Sequence, residues 1–193
     1  MRIIAFSTLL LMGAALTIAA RAQVVPDAES SAFHLNVAAT YSPARFSETN
    51  GNSFWVQGGS VQVEARFGEH LGLVADATGI HTSNINSSGI GLDMITAAAG
   101  PRYTFKRGKV LLFGQALAGE AMAFNGLFPH KSTVETTANS IALVGGGGAE
   151  MMLSRRVALR IIEANWMYTQ LPNGTGNEQG ALSLGAGIAY WFK

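Results

Sequence analysis

Apolar and polar residues alternate along most of this chain, and the period of that alternation is two. Val61 and Val63, for example, alternate with Gln62 and Glu64. Because successive side chains of a β-strand point to opposite faces, such a run predicts a strand with one apolar and one polar face. Eight runs of this kind follow one another: residues 33–41, 55–67, 71–78, 95–105, 110–125, 140–153, 157–170 and 182–192. The pattern predicts an all-β fold.

Two of the runs leave a question about which side chains share a face. In the fifth run, one parity turns Gln115 outward and the other turns Glu120 outward. We predict that Gln115 faces outward, because it would then lie nearer a polar interface. In the seventh run, the apolar positions change from odd to even at Ile161 and Ile162. A β-bulge there would insert one extra residue and keep the apolar residues on one face.

The connections between the runs alternate in length. Short turns lie at residues 68–70, 106–109 and 154–156, and longer polar segments at residues 42–53, 81–91, 126–139 and 171–179. Strands with short turns at one end and long loops at the other are typical of outer-membrane barrels. We therefore predict an eight-stranded antiparallel up-and-down transmembrane β-barrel, with the N-terminus and the short turns periplasmic and four loops outside the cell.

The scarcity of charge indicates which face of the barrel looks outward. Charged residues make up 13% of the chain, against about 25% in a soluble globular protein, which is too few to cover a polar outer surface. The aromatic residues also form two belts, as membrane interfaces require. The belt at the short-turn end contains Phe33, Phe67, Tyr103, Phe105, Phe113, Tyr190 and Phe192. The belt at the loop end contains Tyr41, Trp55, Trp166 and Tyr168. These features favour a lipid-facing surface over a soluble lipocalin-like barrel.

The first 22 residues have the pattern of a cleaved signal peptide. A positive start precedes an apolar stretch, and residues 20–22 place small side chains at the positions that a signal peptidase recognises. The alternative is an uncleaved membrane anchor, since the apolar stretch approaches the ~20 residues that span a bilayer. We expect cleavage of residues 1–22, a periplasmic lead over residues 23–30, and the barrel over residues 31–193.

Composition and spacing exclude several other classes of function. The net charge of +1 gives no electrostatic footprint for nucleic acid, and the lack of cysteine excludes disulfides and cysteine-ligated zinc. The four histidines form no ligand pairs, so we predict no metal site. Gly145–Gly148 lacks the spacing of a nucleotide-binding fingerprint and lies in an alternating run, which favours close packing or space for a large neighbour. We predict no cofactor and no catalytic residue.

The polar face of the runs carries a few charges that would lie inside the barrel. They are Glu64, Arg66, Asp76, Arg102, Glu120, Glu150, Arg160 and Glu163. An unpaired ion in a narrow interior is costly, so we predict a barrel-interior ionic network, with Glu120 and Glu150 as the best-placed partners of Arg102. Five acids against three arginines leave an excess of two negative charges. Eight strands enclose only enough space for side chains to fill, so the network should plug the barrel.

Several short segments of the later runs carry a resemblance to a known family. They are Gly100–Phe105, Gly145–Gly148 leading into Glu150, Arg160 followed by Asn165-Trp166, and the last strand with Gly187, Tyr190 and Phe192. The first three resemble the later strands of small OmpA-like outer-membrane β-barrel proteins, and the last resembles the terminal signal that the barrel-assembly machinery recognises. The resemblance covers about residues 31–193. It implies a protein of the bacterial outer membrane, without the peptidoglycan-binding domain of larger relatives.

The resemblance also implies partners. The barrel-assembly machinery and periplasmic chaperones would bind the chain during biogenesis, and outer-membrane lipid would surround the folded barrel. We expect a monomer.

We predict a non-enzymatic outer-membrane protein that presents four extracellular loops and contributes to envelope integrity or surface contact. The loops are rich in Asn, Ser, Thr and Gly, which suits adaptable polar contact. A small, porin-like regulated ion pore is the alternative. A lesser alternative is a lipid-modifying enzyme, because some barrels of this size act on lipids with an outward His, Asp and Ser. The candidates here, which no nucleophile motif connects, are His81, Ser83, Asp93, His130 and Ser132.

Overall fold

The computed structural model describes residues 34–48, 53–85, 88–130, 133–173 and 176–192. These residues form nine strands: β1 (His34–Tyr41), β2 (Ala44–Glu48), β3 (Ser53–Phe67), β4 (Leu71–Thr82), β5 (Leu92–Arg107), β6 (Val110–His130), β7 (Thr133–Met152), β8 (Val157–Thr169) and β9 (Gln179–Trp191). No helix in the described ranges is long and apolar enough to cross a membrane. The predicted signal peptide, residues 1–22, and the predicted lead, residues 23–30, lie outside the described residues.

The nine strands form one closed ring in which every pairing is antiparallel. Each strand from β3 to β8 pairs with the next in sequence, and β9 pairs with β1 and β2, which both also pair with β3. The segments β1 and β2 are therefore two pieces of one barrel strand. They separate at Ser42 and Pro43, because a proline cannot donate a ladder hydrogen bond. The prediction of an eight-stranded antiparallel barrel is confirmed, with its first strand interrupted.

The predicted alternation also describes which side chains face outward in seven of the eight runs. On β3, Val63 is 40% exposed whereas Glu64 is 1% exposed. Large aromatic side chains are exposed near both ends of the strands, including Tyr103 and Phe105 at the short-turn end and Trp55 and Trp166 at the loop end. The outer surface is therefore apolar and the lumen holds the polar side chains.

The predicted β-bulge lies where the sequence places it. Ala149 pairs with Ile162, but the next residue of β7, Glu150, pairs with Arg160. Ile161 is thus the extra residue, and both it and Ile162 are exposed. Residues three apart on a regular strand point to opposite faces. The bulge is what places Arg160 and Glu163 on the same face, toward the lumen.

The predicted parity of β6 is wrong. Gln115 and Phe113 are buried and face the lumen, so Glu120 faces outward. The neighbouring strand explains this choice, because Phe113 pairs with Gly148 and Gln115 pairs with Gly146. A Cβ atom at Gly148 would lie 2.9 Å from Cζ of Phe113, so the glycines of β7 provide the space that the large side chains of β6 fill.

The predicted third loop, residues 126–139, is mostly strand. β6 continues to His130 and β7 begins at Thr133, with a register shift after Phe124. The flanking strands end earlier, since the last pairs that β6 and β7 make with them are at Phe124 and Ala142. The end of the β6–β7 hairpin is therefore a two-stranded ribbon that extends past the ring.

Candidate functional site

The barrel interior contains a layer of ion pairs, here called the ionic layer. Its members are Glu64, Arg66, Arg102, Glu150, Arg160 and Glu163. Arg160 lies at one centre: its Nη2 is 2.7 Å from Oε1 of Glu150, and its Nη1 is 2.7 Å from Oε2 of Glu163. Since Arg160 has no exposed surface, water does not screen these contacts and each carboxylate depends on the guanidinium for its counter-charge.

Glu64 is the second centre of the ionic layer. Its Oε1 lies 3.0 Å from Nη2 of Arg66, and its Oε2 lies 3.2 Å from Nη1 of Arg102. The side-chain amide of Asn36 donates a further hydrogen bond of 2.7 Å to Oε2. A carboxylate that accepts from two guanidiniums and an amide is well compensated although it is buried.

Two glutamines join these centres into one network. Gln62 Oε1 accepts hydrogen bonds from Arg102 at 2.5 Å and Arg160 at 2.7 Å, and its Nε2 donates to Glu163 at 2.8 Å. Arg102 Nε donates to Gln115 Oε1 at 3.0 Å. The network predicted from the sequence contains only charged side chains and lacks both amides, although Gln62 stands on the polar face of its run.

Phe113 packs against two guanidiniums of the ionic layer. Its ring centroid is 4.2 Å from Cζ of Arg102 and 5.0 Å from Cζ of Arg160. An aromatic face attracts a cation, by ~0.5–2 kcal/mol per contact. The predicted place of Phe113 in the outer aromatic belt is therefore wrong, since the ring faces the lumen and lies against two positive charges.

The predicted partners of Arg102 are also wrong. Glu120 pairs across the sheet with Ala97 and Ile141, which are both exposed on the outer surface. Glu150 lies inside but pairs with Arg160 instead. Moving Glu120 to the outer surface reduces the interior excess of negative charge from two to one.

The remaining interior carboxylate, Asp76, lies beside a cavity. Its Oδ1 accepts a hydrogen bond of 2.7 Å from the hydroxyl of Thr78. The cavity has a volume of about 40 Å³ and its wall also includes Ser60, Thr96 and Asn165. A water molecule needs ~10–15 Å³ on this measure, so the space suits about three small occupants.

Apolar clusters lie on both sides of these polar groups. The cluster near the loop end includes Phe46, Phe54 and Phe128, and the cluster near the short-turn end includes Leu111 and Trp191. In the described ranges, the lumen therefore passes from an apolar cluster through the cavity and the ionic layer to a second apolar cluster.

A separate polar group lies on the outer surface near the loop end. Nδ1 of His81 is 2.5 Å from Oδ1 of Asp93, and the side-chain amide of Asn125 donates a hydrogen bond of 2.5 Å to Oδ2 of Asp93. No hydrogen bond connects His81 to Ser83 in the part of the chain that the structure describes. The side chain of His130 and all of Ser132 lie outside the described residues.

The other histidines are not grouped for metal binding. His34 is exposed at the start of β1, and His70 stacks on Tyr103 with ring centroids 5.4 Å apart. Among the described residues, no three His, Cys, Asp or Glu side chains form a group that could hold a metal ion.

The residues predicted as an assembly signal lie on β9 and directly after it, and they do not all point to the same side of the barrel wall. Gly187 points into the lumen, where a Cβ atom would collide with the carbonyl of Ala39. Tyr190 and Phe192 point outward and their rings meet edge to face, 5.0 Å apart. Their recognition by the assembly machinery stays a prediction.

Comparison with known proteins supports the architecture. A family model described as an outer membrane protein beta-barrel domain matches residues 7–191. Ail, the attachment invasion locus protein of Yersinia pestis, is similar in structure, with a TM-score of 0.57 and 17% identity over 83% of this chain and 99% of Ail. Neisserial surface protein A is similar with a TM-score of 0.60 and 18% identity, over 85% of this chain and 99% of that protein. No curated protein matches the sequence.

Proposed function

Because this chain belongs to the outer-membrane protein β-barrel domain family, we propose that it is a non-enzymatic protein of the bacterial outer membrane that supports surface contact and envelope integrity through its loop end. The filled lumen carries this proposal. Its ionic layer and two apolar clusters occupy the space that a transport function would need. The functional surface is then the loop end.

The β6–β7 hairpin extends as regular strand structure into that surface. Beyond Phe124 and Ala142 it makes no ladder pairs with the neighbouring strands, Phe128 packs into the apolar cluster near the loop end, and Leu127 and Val134 are exposed. Exposed apolar side chains on a strand pair that extends past the ring can contact another surface. The printed name of Ail describes that protein as an attachment protein, and its fold is similar to this one.

The experiment compares cells that produce the wild-type protein with cells whose protein lacks residues 127–135. This deletion joins Gly126 to Thr136, and it leaves a loop of three residues, Asn125, Gly126 and Thr136, beyond the pair between Phe124 and Thr137. We expect the barrel to fold, as judged by different gel migration of boiled and unboiled samples, while adhesion to matrix-coated surfaces falls. A control variant changes Arg155 to Ala in the short turn at the opposite end. Equal adhesion of the deletion variant and the wild type would contradict the proposal.

The proposed orientation places the hairpin outside the cell and the short turns in the periplasm. Protease added to intact cells should then cleave within residues 126–139 and leave residues 106–109 intact. Both segments should be cleaved after the outer membrane is permeabilised. Cleavage of the short turn alone in intact cells would reverse the orientation.

The contact between His81 and Asp93 favours one second candidate, a lipid-modifying enzyme. A carboxylate bonded to Nδ1 orients an imidazole so that its Nε2 can accept a proton, and this pair lies on the outer surface. Mass spectrometry of outer-membrane lipids tests the candidate. An acyl or phosphate change that requires the wild-type protein and disappears with His81→Ala would support the enzyme and refute the non-enzymatic proposal.

A further inference from the structure

The charged groups that lie buried or half-buried in the lumen do not sum to zero. Among the side chains that the structure describes, this set contains three arginines and four carboxylates: Arg66, Arg102 and Arg160, and Glu64, Asp76, Glu150 and Glu163. All three arginines and all three glutamates belong to the ionic layer. With every carboxylate ionised, this set has one negative charge in excess, and its member without an ion-pair partner among the described residues is Asp76.

Asp76 lies where water cannot fully replace such a partner. It is half-buried on β4, and the charged groups that act on it most are Glu163, which repels its charge, and Arg102. Arg102 is already paired with Glu64. A carboxylate that is half removed from water and has no counter-charge loses part of its solvation free energy, so a positive charge near Asp76 would stabilise the folded barrel.

The cavity beside Asp76 has the size and the lining to hold that charge. Its volume of about 40 Å³ suits a small ion with one or two waters, and hydroxyl groups of Ser60, Thr78 and Thr96 line it. Oxygen atoms are the ligands that hard cations prefer. On the loop side, the apolar side chains of Phe46 and Ile80 form part of its wall.

We propose that Asp76 and the oxygen atoms of this cavity bind one small monovalent cation of the size of Na⁺. A single positive charge brings this buried and half-buried set to neutrality, whereas a divalent ion would leave it with one positive charge in excess. Divalent ions also favour several carboxylates, and the described residues contain no such group. The site is a structural one that stabilises the folded barrel, and it does not depend on what the loop end contacts.

The test is urea unfolding of the full-length protein, refolded in vesicles of zwitterionic lipid at neutral pH. The same chloride concentration is supplied either with Na⁺ or with N-methylglucamine, a cation too large for the cavity. The folded fraction is measured by the migration of unboiled samples. A ligand that binds only the folded state at ten times its Kd raises the folded-to-unfolded ratio about elevenfold, so we expect a ratio higher by about that factor in Na⁺.

Two substitutions locate the effect. Asp76→Asn keeps the shape of the side chain but removes its charge, and it should abolish the difference between the two cations. Glu120→Gln is the matched control, because it neutralises a carboxylate on the outer surface and should retain the full difference.

Equal stability of the wild type in the two cations would overturn the proposal. If stability then rises equally in both as the pH is lowered, a proton on Asp76 supplies the missing charge instead. Should Asp76→Asn not fold, Ser60→Ala replaces it, since this variant keeps the charge and removes one oxygen. If Ser60→Ala needs a several-fold higher Na⁺ concentration than the wild type to reach half of the stabilisation, the result supports the site. If it needs the same concentration, the result counts against the assigned cavity.

Discussion

Replacing Arg160 with methionine should destabilise the barrel by about 5 kcal/mol, the upper part of the ~3–5 kcal/mol range for breaking a buried ion pair. Methionine fills much of the same space but leaves the carboxylates of Glu150 and Glu163 without the guanidinium that lies 2.7 Å from each. Gln62 loses a charged hydrogen-bond donor as well. The upper part of the range applies because one side chain compensates two carboxylates.

A matched set of variants separates lost charge balance from lost packing. Adding Glu150→Gln and Glu163→Gln to Arg160→Met removes the uncompensated charges and should recover most of the lost free energy of unfolding. Arg45→Met is the surface control, because Arg45 is exposed and, among the described residues, donates hydrogen bonds to Ser53 alone; the expected change is below ~1 kcal/mol.

The measurement is equilibrium unfolding in urea, with the protein in lipid vesicles and tryptophan fluorescence as the signal. The prediction is wrong if the free energy of unfolding of Arg160→Met lies within ~1 kcal/mol of the wild-type value, which would mean that water reaches the two carboxylates. It also fails if the triple variant is no more stable than the single one, since the loss would then come from packing.

Three further predictions test other parts of the structure. Glu120→Leu removes a carboxylate from the lipid-facing surface and should raise the free energy of unfolding by ~1 kcal/mol in urea titrations. Gly148→Val would force a side chain against Phe113 and the carbonyl of Ile162, and it should prevent refolding, seen as loss of the fast-migrating unboiled band. In planar bilayers the wild type should show rare, small openings, and Arg102→Ala should conduct more because the contact to Glu64 is lost; steady porin-sized current from the wild type would contradict a filled lumen.

The fold could be predicted from the sequence because the alternation of apolar and polar residues, and the need for an apolar surface in a bilayer, apply to each run separately. The change of apolar parity at Ile161 and Ile162 even located the bulge, since a lipid-facing surface does not tolerate a switch to polar residues. The interruption at Pro43 was not predicted, because the segment after it is short and polar and looks like a loop. The length of the β6–β7 hairpin was missed for the same reason.

The interior network depends on several strands at once, so the sequence predicted its composition better than its pairs. The parity of β6 follows from the space that Gly146 and Gly148 leave on β7, and that space is known only once the register is known. The partners of Arg102 followed from the wrong parity. The outward contact of His81 with Asp93 depends likewise on the register of β4 and β5.

The contacts of Gln62 have a consequence for the order in which the barrel forms. They join it to Arg160 and Glu163, which are 98 and 101 residues away in the chain. Strands that pair one after another leave Gln62 apart from Arg160 and Glu163 until the first and last strands meet. Contacts so distant in sequence form late, and a lipid bilayer penalises exposed charges meanwhile. We expect closure of the ring and passage of the charged layer into the bilayer to occur as one cooperative step.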